Sequence, residues 1–187
     1  MALVPYLDKA DMNPSNRAFA EKFERHHKRP PWLRMLGAHY QPFLDATDAM
    51  YPKFMEEGGI DRATKELVFV ACADVRGCDW CRGSHSRYLV HEVGLTRDLV
   101  KRAREGEDTP DLTDRQKLLI AFGRKVAKDP QAIAEGDMAE LRDAGLSDSE
   151  IVEIVAVCCF SAFTNTFTDT LKMTDDLEMM DLKADWF

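Results

Sequence analysis

Apolar residues recur at three- and four-residue spacings along almost the whole chain. This spacing places them on one face of an α-helix, whereas the alternation of Val, Ile or Thr with polar residues that is typical of strands is scarce. The sequence therefore predicts an all-α fold, a helical bundle whose members bury their apolar faces against one another.

Prolines punctuate the first third of this pattern. Residues 1–31 form an N-terminal arm with four prolines around a short charged helix near 15–28. A longer apolar segment then runs from Trp32 to Glu57, and Pro42 and Pro52 are expected to kink or divide it.

Beyond residue 60, cap residues and glycines define the helices. Four residues are predicted N-caps: Asp61, Thr96, Thr113 and Ser147. The helices they open are expected to reach about residues 76, 104, 128 and 173, and two further helices are expected near 79–93 and 131–144.

The second half of the chain echoes the first. Gly94-Leu95 recurs as Gly145-Leu146, 51 residues later, and similar Asp-Arg pairs precede an apolar helix in each half. We predict two degenerate helical-hairpin repeats within one domain. Its parts are the arm (1–31), a first unit (32–104), a second unit (113–173) and an acidic tail (174–187), which is expected to be a solvated end or a docking strip.

Charge excludes several classes of partner. The chain has 25 Lys and Arg against 33 Asp and Glu, a formal charge of -8, which argues against nucleic acid and anionic membranes as partners. No unbroken apolar run approaches the roughly 20 residues of a membrane span, and the N-terminus lacks the pattern of a secretory signal. We therefore expect a cytoplasmic protein.

The five cysteines differ in their surroundings. Cys72, Cys158 and Cys159 lie in apolar runs, and we interpret them as small hydrophobic core residues. Cys78 and Cys81 form a C-x-x-C pair in a polar stretch at a predicted helix start. The exposed N–H groups and dipole of a helix N-terminus favour the thiolate form there.

Two further residues complete a candidate catalytic group. His85 lies four residues after Cys81, on the same helix face. Glu66 precedes the break at Gly77 by 11 residues and His85 follows it by eight, so a hairpin would bring both to a similar height. We predict a relay in which Glu66 orients His85 and His85 activates Cys81.

Each of these residues also has another interpretation. Glu66 could pair with Arg62 or Lys65 instead, and His85 could be a structural histidine. The main chemical alternative is a zinc site formed by three cysteines and a histidine, namely Cys72, Cys78, Cys81 and His85.

The segment Glu66-x11-Cys78-x2-Cys81-x3-His85 resembles the signature of the alkylhydroperoxidase D-like branch of the carboxymuconolactone decarboxylase superfamily. The resemblance implies an all-helical fold that assembles as a homo-oligomer, a trimer or hexamer. It also implies that Cys81 attacks a hydroperoxide, that Cys78 resolves the product as a disulfide, and that Glu66 and His85 relay protons.

No flavin, haem or nicotinamide motif is evident, so no cofactor or metal is expected, and an external dithiol protein or small thiol must supply electrons. Some peroxidase-active members have a histidine between the two cysteines, where this chain has Asp79-Trp80. Trp80 is expected either to shape a substrate pocket or to pack at the helix start.

Two other functions remain open at this point. The first is a decarboxylase- or isomerase-like enzyme of aromatic catabolism, with Glu66 and His85 as acid and base. Arg62, Arg82 or Arg87 would then bind the carboxylate of a small organic acid. The second is a zinc-stabilised helical binding module.

Overall fold

Helices dominate the computed structural model, which describes residues 1–180 and 182. They are α1 (Pro14–His27), α2 (Trp32–Gly37), α3 (Gln41–Tyr51), α4 (Arg62–Arg76), α5 (Asp79–Tyr88), α6 (Arg97–Glu105), α7 (Asp114–Lys128), α8 (Glu135–Asp143) and α9 (Asp148–Thr170). Short 3-10 turns occur at Lys9–Asp11, Pro130–Ala132 and Met173–Asp176, and π-helical turns follow α3 (Pro52–Glu56) and α5 (Leu89–Val93). No strand occurs among the described residues, which confirms the predicted all-α class.

The four predicted N-caps are confirmed. Each accepts a hydrogen bond from the backbone N–H three residues later, at 2.9 to 3.3 Å: Asp61, Thr96, Thr113 and Ser147. In α7 and α9 the residue at the third helical position also reaches back to the N-cap N–H, completing a capping box. Local side-chain chemistry therefore sets these helix starts.

The segment 32–57 is divided into α2, α3 and a π-helical turn, as its prolines indicated. Two other predicted helix boundaries need correction. The helix expected from 131 begins only at Glu135, because Pro130 starts a separate 3-10 turn. The helix expected over 79–93 remains α-helical only to Tyr88.

Helix α4 lies at the centre of the bundle. It packs against α5, α6, α7 and α9, and every residue from Thr64 to Ala73 is buried. Burial on all sides explains why its apolar run has no polar face. Lys65 is also fully buried, because its ammonium pairs with Glu153 Oε1 at 2.6 Å and donates to the carbonyl of Glu57.

Helix α9 is the long helix that packs on α4 and α7. By length and composition alone it is also apolar enough to cross a membrane. The sequence pattern did not predict a helix of this kind. Half of its apolar window is buried inside the protein, which is the arrangement of a core helix.

The echo between the two halves is visible in the backbone. Gly94 and Gly145 have φ angles of 86° and 84°, and each is followed two residues later by an N-cap. The helices α4 and α7 of the two units pack directly on each other. The division of the chain into the four predicted parts stays a prediction.

The acidic tail differs from the predicted solvated end. Met173, Met180 and Leu182 are buried, and the indole N–H of Trp80 donates to Met180 Sδ at 3.2 Å. The carboxylate of Asp176 accepts hydrogen bonds from the N-terminal arm. The tail therefore packs over α5, while Asp181, Lys183 and Asp185 lie outside the described residues.

Candidate active site

The C-x-x-C pair lies where the chain turns from α4 into α5. Gly77 ends α4 in the left-handed conformation, with φ 73°, which a residue without Cβ adopts at little cost. Cys78 then occupies the N-cap position of α5, and Cys81 lies in its first turn. The two cysteines therefore begin a helix, as the sequence predicted.

Both thiols are completely buried, which corrects the polar setting expected from the sequence. They lie against α9, which the sequence places more than 80 residues away. Thr168 Oγ1 is 3.2 Å from Cys78 Sγ and 3.7 Å from Cys81 Sγ, and Thr164 Oγ1 is 3.9 Å from Cys81 Sγ. One hydroxyl group therefore contacts both sulfurs.

Burial opposes ionisation of Cys81. It raises the pKa of Cys81 well above the ordinary thiol value, and the neighbouring Cys78 raises it further, while the hydroxyls of Thr168 and Thr164 lower it. Desolvation therefore works against the helix N-terminus, which was expected to favour the thiolate.

Glu66 and His85 meet as the hairpin argument predicted. His85 Nδ1 is 2.6 Å from Glu66 Oε2. Glu66 is fully buried, and the His85 side chain is 13% exposed. The imidazole also stacks on Phe69, with ring centroids 3.7 Å apart. Hydrogen bonding and stacking together fix the orientation of this ring.

The last step of the predicted relay is not closed in the resting structure. Among the described residues, the hydrogen bonds of Cys81 Sγ run to the threonines of α9 rather than to His85. The roles assigned to the four residues stay predictions. The structure brings Glu66 and His85 together and brings Cys78 and Cys81 together.

Arg62 supplies a second partner for Glu66. Its Nε lies 3.5 Å from Glu66 Oε1, and its Nη2 donates to the Tyr51 hydroxyl at 2.6 Å. The guanidinium also lies over the Tyr88 ring, 4.3 Å from the centroid. The alternative pairing of Glu66 with Arg62 is thus present beside the pairing with His85, whereas Lys65 points to Glu153.

Tyr51 belongs to this cluster, although nothing in the sequence marked it. Burial raises its pKa well above the ordinary phenol value, and the nearby Glu66 carboxylate raises it further. The one sequence signal for the cluster was the spacing of Arg62 and Glu66, four residues apart on one helix. Tyr51 comes from α3 and is joined only by the fold.

Two of the other three cysteines are core residues, as predicted, and the third is not. Cys72 and Cys158 are buried, with Sγ atoms 3.7 Å apart, and Cys72 also donates to Gly123 O at 3.3 Å. Cys159 is exposed, because it lies on the outer face of α9, so its assignment to the core is wrong. Among the described residues no three His, Cys, Asp or Glu side chains gather as a metal cluster, which leaves the zinc alternative without a ligand set.

The arginines proposed for an organic acid have partners within the protein. Arg62 lies beside Glu66, whereas Arg82 pairs with Asp74 at 3.1 Å and with Asp79. Arg87 lies close enough to His27 to affect its ionisation. Of the three, Arg62 therefore lies at the Glu66–His85 pair, where its guanidinium already contacts the Glu66 carboxylate.

Comparison with known protein families gives a match within the first part of the chain. Residues 41–105 match the Carboxymuconolactone decarboxylase family. That segment contains Glu66, Cys78, Cys81 and His85, as well as Arg62 and Tyr51. A search of curated proteins finds no match.

Solved structures share the fold over nearly the whole chain. An uncharacterised peroxidase-related protein from Ralstonia eutropha JMP134, described as an alkylhydroperoxidase AhpD core, has a TM-score of 0.82 and 22% identity, covering 92% of this chain and 90% of that one. A peroxidase-related protein from Silicibacter sp. TM1040 has a TM-score of 0.81 and 22% identity, covering 91% and 90%. The debrominase Bmp8, as a cysteine-to-alanine variant in complex with 2,3,4-tribromopyrrole, has a TM-score of 0.77 and 16% identity, covering 92% and 90%.

Proposed function

We propose that this chain, whose residues 41–105 match the Carboxymuconolactone decarboxylase family and whose fold is shared with an alkylhydroperoxidase AhpD core structure, is a thiol-dependent peroxidase or disulfide oxidoreductase. The observation that carries the proposal is the site geometry. Two thiols at the start of α5 share Thr168, and His85, one turn after Cys81 on the same helix, is joined to Glu66 of α4 at 2.6 Å.

The hydrogen bond to Glu66 determines what His85 can do. A carboxylate accepts hydrogen bonds, so it holds the imidazole as the tautomer with its proton on Nδ1. Nε2 is then left with a lone pair, and it can act as a base toward a group on the same helix face. Cys81, four residues earlier, carries the nearest thiol on that face.

Proton transfer from Cys81 requires the thiol to leave its threonine partners. We propose that this happens when a hydroperoxide enters. His85 Nε2 takes the thiol proton, and the sulfur attacks the distal oxygen of the peroxide as the O–O bond breaks. The alcohol leaves with the proton returned by His85, and Cys81 becomes a sulfenic acid.

Cys78 then completes the oxidation. Its sulfur displaces the hydroxyl of the Cys81 sulfenic acid, which gives a Cys78–Cys81 disulfide and water. An external dithiol protein or small thiol restores the pair by exchange. An enzyme that must return to the dithiol state suits a reducing compartment, so we propose a cytoplasmic location.

Arg62 and Tyr51 support this cycle from behind Glu66. Arg62 and His85 approach opposite oxygens of the carboxylate, at 3.5 and 2.6 Å. A buried carboxylate without cationic neighbours would be costly, and Arg62 provides one. Tyr51 in turn holds the guanidinium in place.

The exposed face of α9 supports the homo-oligomer. Val152 and Phe163 are 68% and 37% exposed, and Phe163 lines an apolar groove with Phe43 and Phe167. Exposed apolar surface of this kind is typical of protein interfaces. We propose that copies of the chain pack on this face.

A second candidate uses the same dithiol on a different electrophile. The fold is shared with a debrominase, and the aromatic rings of Phe69 and Trp80 flank the site. Reductive removal of a halogen from an aromatic ring would also end in a Cys78–Cys81 disulfide. Release of bromide from 2,3,4-tribromopyrrole, in an assay with a dithiol reductant, would favour this candidate.

A peroxide-consumption assay with matched cysteine variants tests the proposed function. Cys81→Ser should abolish the dithiol-dependent consumption of an alkyl hydroperoxide, because it removes the attacking sulfur. Cys159→Ser removes an exposed thiol from the outside of α9 and should leave the rate unchanged. Unchanged turnover in Cys81→Ser would overturn the assignment.

A further inference from the structure

A carboxyl group that the relay does not use lies next to the threonine that contacts both thiols. Asp169 is in the last turn of α9, directly after Thr168, whose hydroxyl contacts Cys78 Sγ at 3.2 Å. Its Oδ1 atom is buried and has no hydrogen-bond partner among the described residues. A buried, unpartnered carboxylate oxygen is costly, so its place beside a thiol needs a reason.

The groups around Asp169 make it a stronger base than an ordinary aspartate. Burial raises its pKa, the nearby Cys78 thiol lowers it, Asp79 at the start of α5 raises it, and Lys172 beyond the end of α9 lowers it. The net effect is a raised pKa. Of these groups, Cys78 is the one that must give up a proton.

Thr168 cannot take that proton. Its hydroxyl already donates to the carbonyl oxygens of Thr164 and Asn165, at 3.0 and 3.2 Å. With its own proton engaged, the oxygen can accept a hydrogen bond from Cys78 but is too weak a base to remove the proton.

The Glu66–His85 pair is also badly placed for Cys78. His85 is seven residues further along, which corresponds to about 10 Å of helix rise. The pair lies one turn from Cys81 but two turns from Cys78. Each thiol therefore requires its own proton acceptor.

We propose that Asp169 is the proton acceptor of Cys78 when the disulfide closes, a role that rests on the proposed function. The Asp169 carboxylate takes the proton from Cys78 Sγ as that sulfur attacks Cys81 Sγ. The S–O bond of the sulfenic acid breaks, and the departing hydroxide leaves as water with the proton from Asp169. The step joins the two sulfurs, releases one water and returns Asp169 to its carboxylate form.

A single-turnover experiment separates this step from the attack on peroxide. The reduced protein receives one equivalent of hydrogen peroxide without reductant. Sulfenic acid is trapped with dimedone, and the disulfide is quantified by mass spectrometry. Wild type, Asp169→Asn, Asp169→Glu and Asp148→Asn are compared. Asp148 is an exposed aspartate at the opposite end of α9, so its variant controls for loss of a carboxylate from this helix.

We expect Asp169→Asn to form sulfenic acid at the wild-type rate but to close the disulfide about 100-fold more slowly, the lower range of general-base effects. Asp148→Asn should match wild type, and Asp169→Glu should recover at least part of the closure rate. In wild type the closure rate should rise with pH through one ionisation and then level off. In Asp169→Asn it should instead rise in proportion to hydroxide.

Two results would overturn the inference. Closure at the wild-type rate in Asp169→Asn would show that another group accepts the proton. Absence of sulfenic acid and disulfide in wild type would overturn the proposed function itself, and the inference with it. The first result leaves the peroxidase assignment standing, so the two failures are distinguishable.

Discussion

The protein holds two pairs of buried cysteines that differ in their neighbours. Cys72 and Cys158 lie in the middle of α4 and α9, with sulfurs 3.7 Å apart, and Cys72 donates to a backbone carbonyl. Cys78 and Cys81 lie at a helix start and face hydroxyl groups. All four are buried, so burial does not distinguish a reactive pair from a packing pair. The two pairs differ instead in the neighbouring groups that could accept or donate a proton.

The largest expected difference is in oxidation itself. With one equivalent of hydroperoxide, Cys78 and Cys81 should become a disulfide in nearly every molecule, while Cys72 and Cys158 should stay reduced. The reason is that the proposed proton acceptors, His85 and Asp169, serve the first pair. Alkylation of free thiols in denaturant followed by peptide mass mapping measures both pairs. A Cys72–Cys158 disulfide in place of the Cys78–Cys81 one would reverse the comparison.

Replacement of the proposed base, His85, should have the next largest effect, on the rate of hydroperoxide reduction. We expect His85→Gln to lower the rate constant for hydroperoxide reduction by about 100- to 1,000-fold, the range of general-base catalysis. Glu66→Gln should cost less, because its amide oxygen can still accept from Nδ1. Stopped-flow kinetics checks both, with Cys158→Ala as the control from the packing pair. A loss of rate in Cys158→Ala equal to that in His85→Gln would show that the second pair takes part.

Around Cys72 and Cys158, the stability of the fold should instead be sensitive to added side-chain volume. A Cβ added at Gly123 would lie 2.6 Å from Val68 Cγ1 and 3.3 Å from Cys72 Sγ. Gly123→Ala should therefore lower the free energy of unfolding by about 1–3 kcal/mol, since overpacked cores distort. Urea denaturation measures the change.

Gly136 is the matched control for this substitution. It lies in α8, and a Cβ there meets no atom within 4 Å. Gly136→Ala should raise the free energy of unfolding by about 0.5–1 kcal/mol, because alanine favours the helix. Equal effects at the two glycines would contradict the packing argument.

The smallest expected effect is on stability in alkali. A hydrogen bond with Cys72 and burial raise the pKa of Cys158 well above the ordinary thiol value. The folded state thus retains a proton that the unfolded state releases near pH 8.5. Stability should be fully present below that pH and fall as pH rises above it, by about 1 kcal/mol per pH unit.

Cys158→Ala isolates this contribution. The variant should be less stable than wild type at pH 7, because the substitution leaves a cavity. The difference in the free energy of unfolding between the two proteins should be smaller at pH 9.5. Urea denaturation at the two pH values gives the comparison. A constant difference would mean that Cys158 ionises in the same way in the folded and unfolded states.

Local signals in the sequence predicted the helices and part of the site. The caps at Asp61 and Thr113 are contacts between residues three apart, so the sequence contains both partners. The pairing of Glu66 with His85 followed from helix rise on either side of Gly77. Each of these inferences needed only neighbouring elements.

The errors share one cause, which is contact with distant parts of the chain. The polar residues around Cys78 suggested exposure, but Thr168 of α9 covers it. The acidic tail looked solvated because it has five acidic residues and only one lysine, yet Met180 packs on Trp80. Cys159 lies in an apolar run, but it is exposed on α9. Tertiary packing overrides local composition at these positions.

The buried charges of Lys65 and Glu66 limit where this chain can tolerate insertions and deletions. These two adjacent, fully buried charges leave α4 in different directions, since consecutive residues are about 100° apart around a helix. One fastens α4 to Glu153, and the other orients His85. A one-residue deletion between Asp61 and Lys65 would rotate the residues before Lys65 against those that follow. Either the N-cap or the pair of buried charges would then lose its partners. We therefore expect this chain to tolerate insertions and deletions in the loops and in the arm, and not in the first turn of α4.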